Sequence, residues 1–105
     1  MRKNASVDIF LFGSGIMKLK KDFILKKDGG QNVILYTGKD PSAFNSTITL
    51  NETAAFLWSL LCSGACTKEQ LLTSLLKKYD ISTVLALNDI DIFVKTLQQN
   101  GILEE

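Results

Sequence analysis

The chain has 105 residues, of which 46% are hydrophobic and 22% are charged, and this length is enough for one modest hydrophobic core but not for two. Twelve basic and eleven acidic residues leave a formal net charge of +1. That balance excludes a protein that holds nucleic acid mainly through bulk positive charge, and no apolar run approaches the roughly 18 residues that a membrane span requires.

The supply of reactive side chains is small. The sequence has no histidine and two cysteines, Cys62 and Cys66. A structural zinc site needs four cysteine or histidine ligands, so we expect no metal, and the pair is interpreted as two reduced thiols of a cytoplasmic protein. No carboxylate, lysine or thiolate pair is visibly arranged as a catalytic acid and base. The sequence therefore predicts a protein that is not an enzyme and has no cofactor.

Residues 1–16 differ in composition from the rest and are interpreted as an N-terminal extension, with the folded domain over residues 17–105. Within the extension, residues 7–12 (VDIFLF) form a β-prone apolar strip, and residues 13–15 (GSG) have the composition of a flexible linker. Two interpretations stay open. The extension is a partly disordered tail, or the strip adds as an extra strand to a sheet edge of its own molecule or of a neighbour. The second interpretation includes a strand-exchanged homodimer.

The first half of the domain has the pattern of a three-stranded antiparallel meander. Residues 18–27 (KLKKDFILKK) form the first candidate strand, with Leu19, Phe23 and Leu25 on or near one face. The sequence Asp-Gly-Gly over 28–30 is a strong turn signal before a returning strand. The lysines of the first strand indicate a solvated face or a protected edge, and attraction for an acidic partner is the alternative.

The returning strand is predicted over residues 33–37, a loop over 38–44 and the third strand over 46–50. The third strand alternates hydroxyl side chains with Ile48 and Leu50. It leads directly into a helix, because Asn51 is a favoured N-cap.

Three capped helices follow. The first is predicted to end at Gly64. Thr67 and Gln70 form a capping-box pattern for the second, and Ser82 caps a third that runs to about Gln99. The apolar stripe of the first helix is Ala54, Leu57, Trp58 and Leu61. That of the second is Leu71, Leu72, Leu75, Leu76 and Tyr79.

Helical spacing divides the third helix into two sides. The predicted core positions are Leu87, Ile90, Val94 and Leu97. Phe93 lies about 60° to one side of this stripe, at about 100° per residue. Ile92 points almost opposite to Ile90, and together with Phe93 it suggests an apolar groove. Ile102 and Leu103 are expected to fold back as a C-terminal closure.

This order of elements predicts an α+β fold, winged helix-turn-helix-like, in which a three-stranded antiparallel sheet precedes three helices. Over residues 17–105 the sequence also resembles the PqqD family. The resemblance is carried by LNETAA at 50–55, TKEQL at 67–71, YD at 79–80, and the spaced pattern of Asp, Ile, Phe, Val, Leu and Gly-Ile-Leu over 89–103.

The resemblance implies a recognition element for ribosomally made, post-translationally modified peptides. Such a module binds the leader of a precursor peptide as a strand added to the third strand, and presents it to a modifying enzyme, often a radical SAM protein. The peptide-binding residues are then expected on the strand edge and on a wall from the third helix. They are Ser46, Thr47, Ile48, Thr49, Leu50, Asp89, Ile92, Phe93 and Thr96.

The competing interpretation is a winged-helix protein that binds DNA. Its third helix would then be the recognition helix, which generally needs arginine or lysine for phosphates and guanine edges. This helix offers only Lys95, against Asp89 and Asp91. We therefore expect no nucleic acid partner.

Overall fold

The computed structural model describes residues 16–40, 44 and 47–104, and the strip at 7–12 lies outside them. The elements along this part of the chain are β1 (Ile16–Met17), β2 (Phe23–Asp28), β3 (Gln31–Tyr36), β4 (Ile48–Leu50), α1 (Glu52–Ser63), β5 (Cys66–Thr67), α2 (Lys68–Lys78) and α3 (Thr83–Gln99). The predicted α+β class, with a three-stranded antiparallel sheet followed by three helices, is confirmed.

Strands β2, β3 and β4 form the main sheet, in that order, with both pairs antiparallel. Gly29 and Gly30 form the two-residue turn between β2 and β3, with φ angles of 61° and 85°. Positive φ at both turn positions matches the right-handed twist of a hairpin and favours glycine. Strand β4 pairs with β3 through Ile48 opposite Ile34 and Leu50 opposite Asn32.

The predicted helix caps are confirmed. The side chain of Asn51 accepts a hydrogen bond from the backbone N–H of Ala54, 2.9 Å away. Thr67 and Gln70 make both bonds of the capping box. The hydroxyl oxygen of Ser82 caps α3 by accepting a hydrogen bond from the backbone N–H of Leu85. Each cap satisfies a backbone donor that the first helical turn leaves unpaired, so local sequence alone fixes where the helices begin.

The three helices and the inner face of the sheet share one core. Its fully buried side chains include Leu57, Leu71, Leu75, Ile90 and Leu97. Trp58, predicted to lie in or beside the core, is buried, as are Ile102 and Leu103 of the predicted C-terminal closure. None of the helices in the described residues is both long and apolar enough to cross a bilayer.

One predicted strand boundary is wrong, and one small sheet was not predicted. The first strand of the main sheet begins at Phe23 and not at Lys18, because residues 18–20 run instead beside the C-terminus: Leu19 forms a bridge with Leu103, and Lys20 N–H donates to the carbonyl of Ile102. The sequence analysis also missed the two-stranded sheet of β1 and β5. Both pairings join residues that are far apart in the chain, so no local sequence pattern predicts them.

The core face of α3 also differs from the predicted one. Ala86 is fully buried, whereas Leu87 is only half-buried. Phe93, placed to one side of the stripe from its spacing, is 2% exposed and belongs to the core. The buried face is therefore rotated toward Ala86 and Phe93.

Candidate functional site

Strand β4 has one free edge in the described part of the chain, because its other edge pairs with β3. The hydrogen bonds of the hairpin show which groups face that edge. Thr37 N–H donates to the carbonyl of Asp22 over 2.7 Å, so Asp22 and Thr37 form a hydrogen-bonded pair of the β2–β3 ladder.

In an antiparallel ladder, hydrogen-bonded and non-hydrogen-bonded pairs alternate. Counting residues along β3 from Thr37 shows that the N–H and C=O groups of Ile34 and Asn32 point toward β4. Their partners there are Ile48 and Leu50, respectively. It follows that the N–H and C=O of Thr49 point away from β3, toward the free edge. β4 thus presents one complete donor and acceptor pair to an incoming chain.

A groove lies beside this edge and reaches α3. Its volume of about 130 Å³ is below the roughly 300–1,000 Å³ typical of small-molecule sites. It is therefore suited to individual side chains and not to a bound cofactor. The residues that line it are Thr49, Leu50, Asn51, Thr53, Ala54, Asp89, Ile92, Phe93 and Thr96.

Helix α3 supplies the apolar wall of the groove. Ile92 is 57% exposed, so this large apolar side chain is available to a ligand. Phe93 also lines the groove, but its side chain is buried. Thr96 does not offer its hydroxyl donor freely, because Oγ1 donates to the carbonyl of Ile92 at 2.8 Å. The wall therefore offers apolar contact more than hydrogen bonding.

A second cleft continues from the groove at the carboxyl end of β4. The two share Thr49, Leu50 and Asn51. The continuation adds polar side chains from the hairpin and from the first turn of α1, namely Lys27, Gln31, Asn32 and Glu52. A strand lying along β4 would pass from the apolar wall to this polar end.

The structure brings together six of the nine residues that the sequence analysis assigned to peptide binding. They are Thr49, Leu50, Asp89, Ile92, Phe93 and Thr96. Ile48 lies in β4 but its side chain is buried in the core, and Thr47 immediately precedes the strand. Ser46 lies outside the described residues.

The sequence analysis missed Asn51, Thr53 and Ala54, which line the same groove. Asn51 was interpreted only as a helix cap and Ala54 only as a core position. The direct junction of the third strand with the helix was the signal that could have found them, because the first turn of such a helix must lie beside the strand end.

Neither cysteine shows the features of a reactive thiol. Burial raises the pKa of both thiols, and for Cys62 a side-chain hydrogen bond with Trp58 partly opposes the rise. A raised pKa keeps the thiol protonated and a poor nucleophile. In residues 16–40, 44 and 47–104, no three cysteine, aspartate or glutamate side chains are grouped so that they could hold a metal ion.

Comparisons with known proteins identify a family and a shared fold. The family model described as coenzyme PQQ synthesis protein D (PqqD) matches residues 31–103. Among solved structures, the chain is similar to one titled "TbiB1 in Complex with the TbiA(beta) Leader Peptide", with a TM-score of 0.63 and 18% identity over 83% of this chain and 94% of that one. At this identity the similarity shows a shared fold. A search of curated proteins found no match.

Proposed function

This chain belongs to the PqqD family, and from that premise we propose that it binds the leader segment of a ribosomally synthesised precursor peptide and presents it to a modifying enzyme. The similarly folded chain of the TbiB1 structure is described as a complex with a leader peptide. The observation that carries the proposal in this chain is the free edge of β4 beside the apolar wall of α3.

The proposed binding mode is strand addition. The leader pairs with β4 through the outward N–H and C=O of Thr49, and one of its apolar side chains packs against Ile92. Main-chain hydrogen bonds of this kind are available to any sequence, so they provide affinity without selection. Selection then depends on the side chains that enter the groove.

The partner enzyme is proposed to be a radical SAM protein or another modifying enzyme that acts on the core of the precursor. The chain itself acts as a binding module in this scheme. A leader bound at the β4 edge leaves the start of β2, at the opposite edge of the sheet, uncovered, so the bound peptide and an enzyme need not compete for one surface.

The charge of α3 supports peptide binding over DNA binding. Lys95 accompanies two aspartates on this helix, and Asp91 already pairs with Lys68, whose Nζ lies 3.4 Å from Oδ1. Asp89 lines the groove itself, where it would repel a phosphate backbone.

A titration with a matched pair of variants tests the proposal. The probe is a fluorescein-labelled synthetic leader of a candidate precursor, chosen from short reading frames beside the gene for this chain, and binding is followed by fluorescence anisotropy. Ile92→Lys should weaken binding by about tenfold or more, because it removes an apolar contact and places a charge in the groove. Val84→Lys is the control, since Val84 is 77% exposed on the same helix but does not line the groove.

Equal leader affinities of the two variants would place the site elsewhere on the molecule. Failure of the wild-type chain to bind any adjacent leader, together with salt-dependent binding of a DNA duplex, would favour the winged-helix interpretation instead. Circular dichroism of both variants checks that they remain folded.

A further inference from the structure

The two aspartates of α3 differ in electrostatic environment. Asp91 forms the ion pair with Lys68, and Lys95 follows it at the i+4 position that favours a second attraction along a helix. Asp89 has neither. Its side chain makes no hydrogen bond or ion pair with any other residue in the described part of the chain.

The helical neighbours of Asp89 are all apolar. At the i±3 and i±4 positions, which lie next to it on the helix surface, the chain has Leu85, Ala86, Ile92 and Phe93. Asp89 is also half-buried where it lines the groove. A half-buried carboxylate without a protein partner is free to accept a charge-assisted hydrogen bond from a cationic ligand.

Other charges at the binding surface do not provide such a cation. Lys27 and Glu52 lie in the polar continuation of the groove beyond Asn51 and have opposite charges. Asp89 is therefore the one uncompensated charge among the described residues that line the groove between β4 and α3.

We propose that Asp89 is a specificity residue that selects leader peptides carrying a lysine or arginine close to the apolar side chain that packs on Ile92. The proposal rests on the proposed function, because it assigns a preference to the same groove. The basic side chain donates a charge-assisted hydrogen bond to the Asp89 carboxylate while the peptide backbone pairs with Thr49. The apolar contact with Ile92 and the ionic contact with Asp89 together define a two-point motif.

Selection from a library of random peptides displayed on phage tests this preference without knowledge of the natural leader. The full-length chain, Asp89→Asn, Asp89→Lys and Asp91→Asn are each immobilised and used for selection. The wild type and Asp91→Asn should enrich lysine or arginine at one position near an apolar residue. Asp89→Asn should lose this enrichment, and Asp89→Lys should enrich aspartate or glutamate in its place.

One selected peptide is then measured against each chain in solution. Replacing its basic residue by glutamine should weaken binding to the wild type by about tenfold, the size typical of a charge-assisted hydrogen bond at a partly desolvated site. The same replacement should leave binding to Asp89→Asn unchanged. This double-mutant cycle separates a direct contact from a general change in charge.

The possible failures are distinguishable. Enriched peptides with an apolar position but no basic one, or equal basic enrichment on Asp89→Asn, would overturn the role of Asp89 and leave leader binding standing. If the wild type enriches no peptide at all, the proposed function fails and this proposal fails with it.

Discussion

The main sheet has two outer edges, β2 and β4, and only one of them has the features of a peptide acceptor. In the described residues neither edge pairs with a further strand. β2 is six residues long and largely exposed, and it carries Lys26 and Lys27. β4 is three residues long, carries no charge and buries two of its three side chains, and Thr49 and Leu50 line the groove.

The comparison shows that an unpaired edge is not sufficient for peptide binding. Lysines on an edge strand are a common device against unwanted pairing, because an added strand would have to accommodate their charges. β4 lacks this protection and gains a selective wall from α3. β2 is therefore an edge protected against strand addition, and β4 is the edge suited to binding a peptide.

Both edges depend on the same core, and the largest expected effect comes from removing part of it. Trp58→Ala should lower the free energy of unfolding by about 3–5 kcal/mol, because a buried aromatic side chain is lost and leaves a cavity. Urea denaturation measures the change, with Ser59→Ala as the exposed neighbour for control. A denaturation midpoint that does not move for Trp58→Ala would contradict the assigned orientation of α1.

A proline placed on each edge sharpens the comparison. Thr49 and Leu25 both direct their N–H groups outward by the register of the sheet, so a proline at either position removes no hydrogen bond of the ladder. Thr49→Pro should weaken leader binding about tenfold through the lost donor and the hydrogen bonds beside it. Leu25→Pro should leave the affinity unchanged, because Leu25 lies on the β2 edge and lines neither part of the groove.

Anisotropy titration with the labelled leader measures both proline variants, and thermal unfolding checks that each retains the fold. The same weakening for both would mean that the peptide does not distinguish the two edges. Full affinity in a folded Thr49→Pro protein would rule out strand addition at this residue.

The smallest expected effect concerns the apolar strip at residues 7–12, which stays a predicted occupant of the β4 edge. A tethered competitor lowers the apparent affinity for a leader, because it occupies the groove at a high effective concentration. A chain without residues 1–15 should then bind the leader several-fold more tightly, and any dimer should dissociate. Anisotropy and native mass spectrometry measure the two outcomes.

Equal leader affinity and equal mass for the full-length and shortened chains would exclude the strip from the groove. Substituting Phe10 and Phe12 by aspartate in the full-length chain provides a second test that preserves its length. If one face of the strip binds the groove, this pair and the pair Ile9 and Leu11 should differ in their effect.

The sequence alone determined the features that depend on neighbouring residues. Caps at Asn51, Thr67 and Ser82, the two-glycine turn and the three helices could all be predicted, because each depends on hydrogen bonds or backbone angles within a few residues. The edge residue Thr49 and the wall residues Ile92 and Phe93 were also named, from a family resemblance combined with helical spacing.

Only the tertiary structure decided which segments far apart in the chain pair with or contact each other. Pairing of Leu19 with Leu103, and of β1 with β5, joins residues far apart in the chain, and no local pattern encodes such contacts. The same holds for the N–H and C=O of Thr49, whose outward direction follows from the register of three strands. The contrast between Asp89 and Asp91 is of this kind too, since Lys68, the partner that neutralises Asp91, comes from the start of another helix.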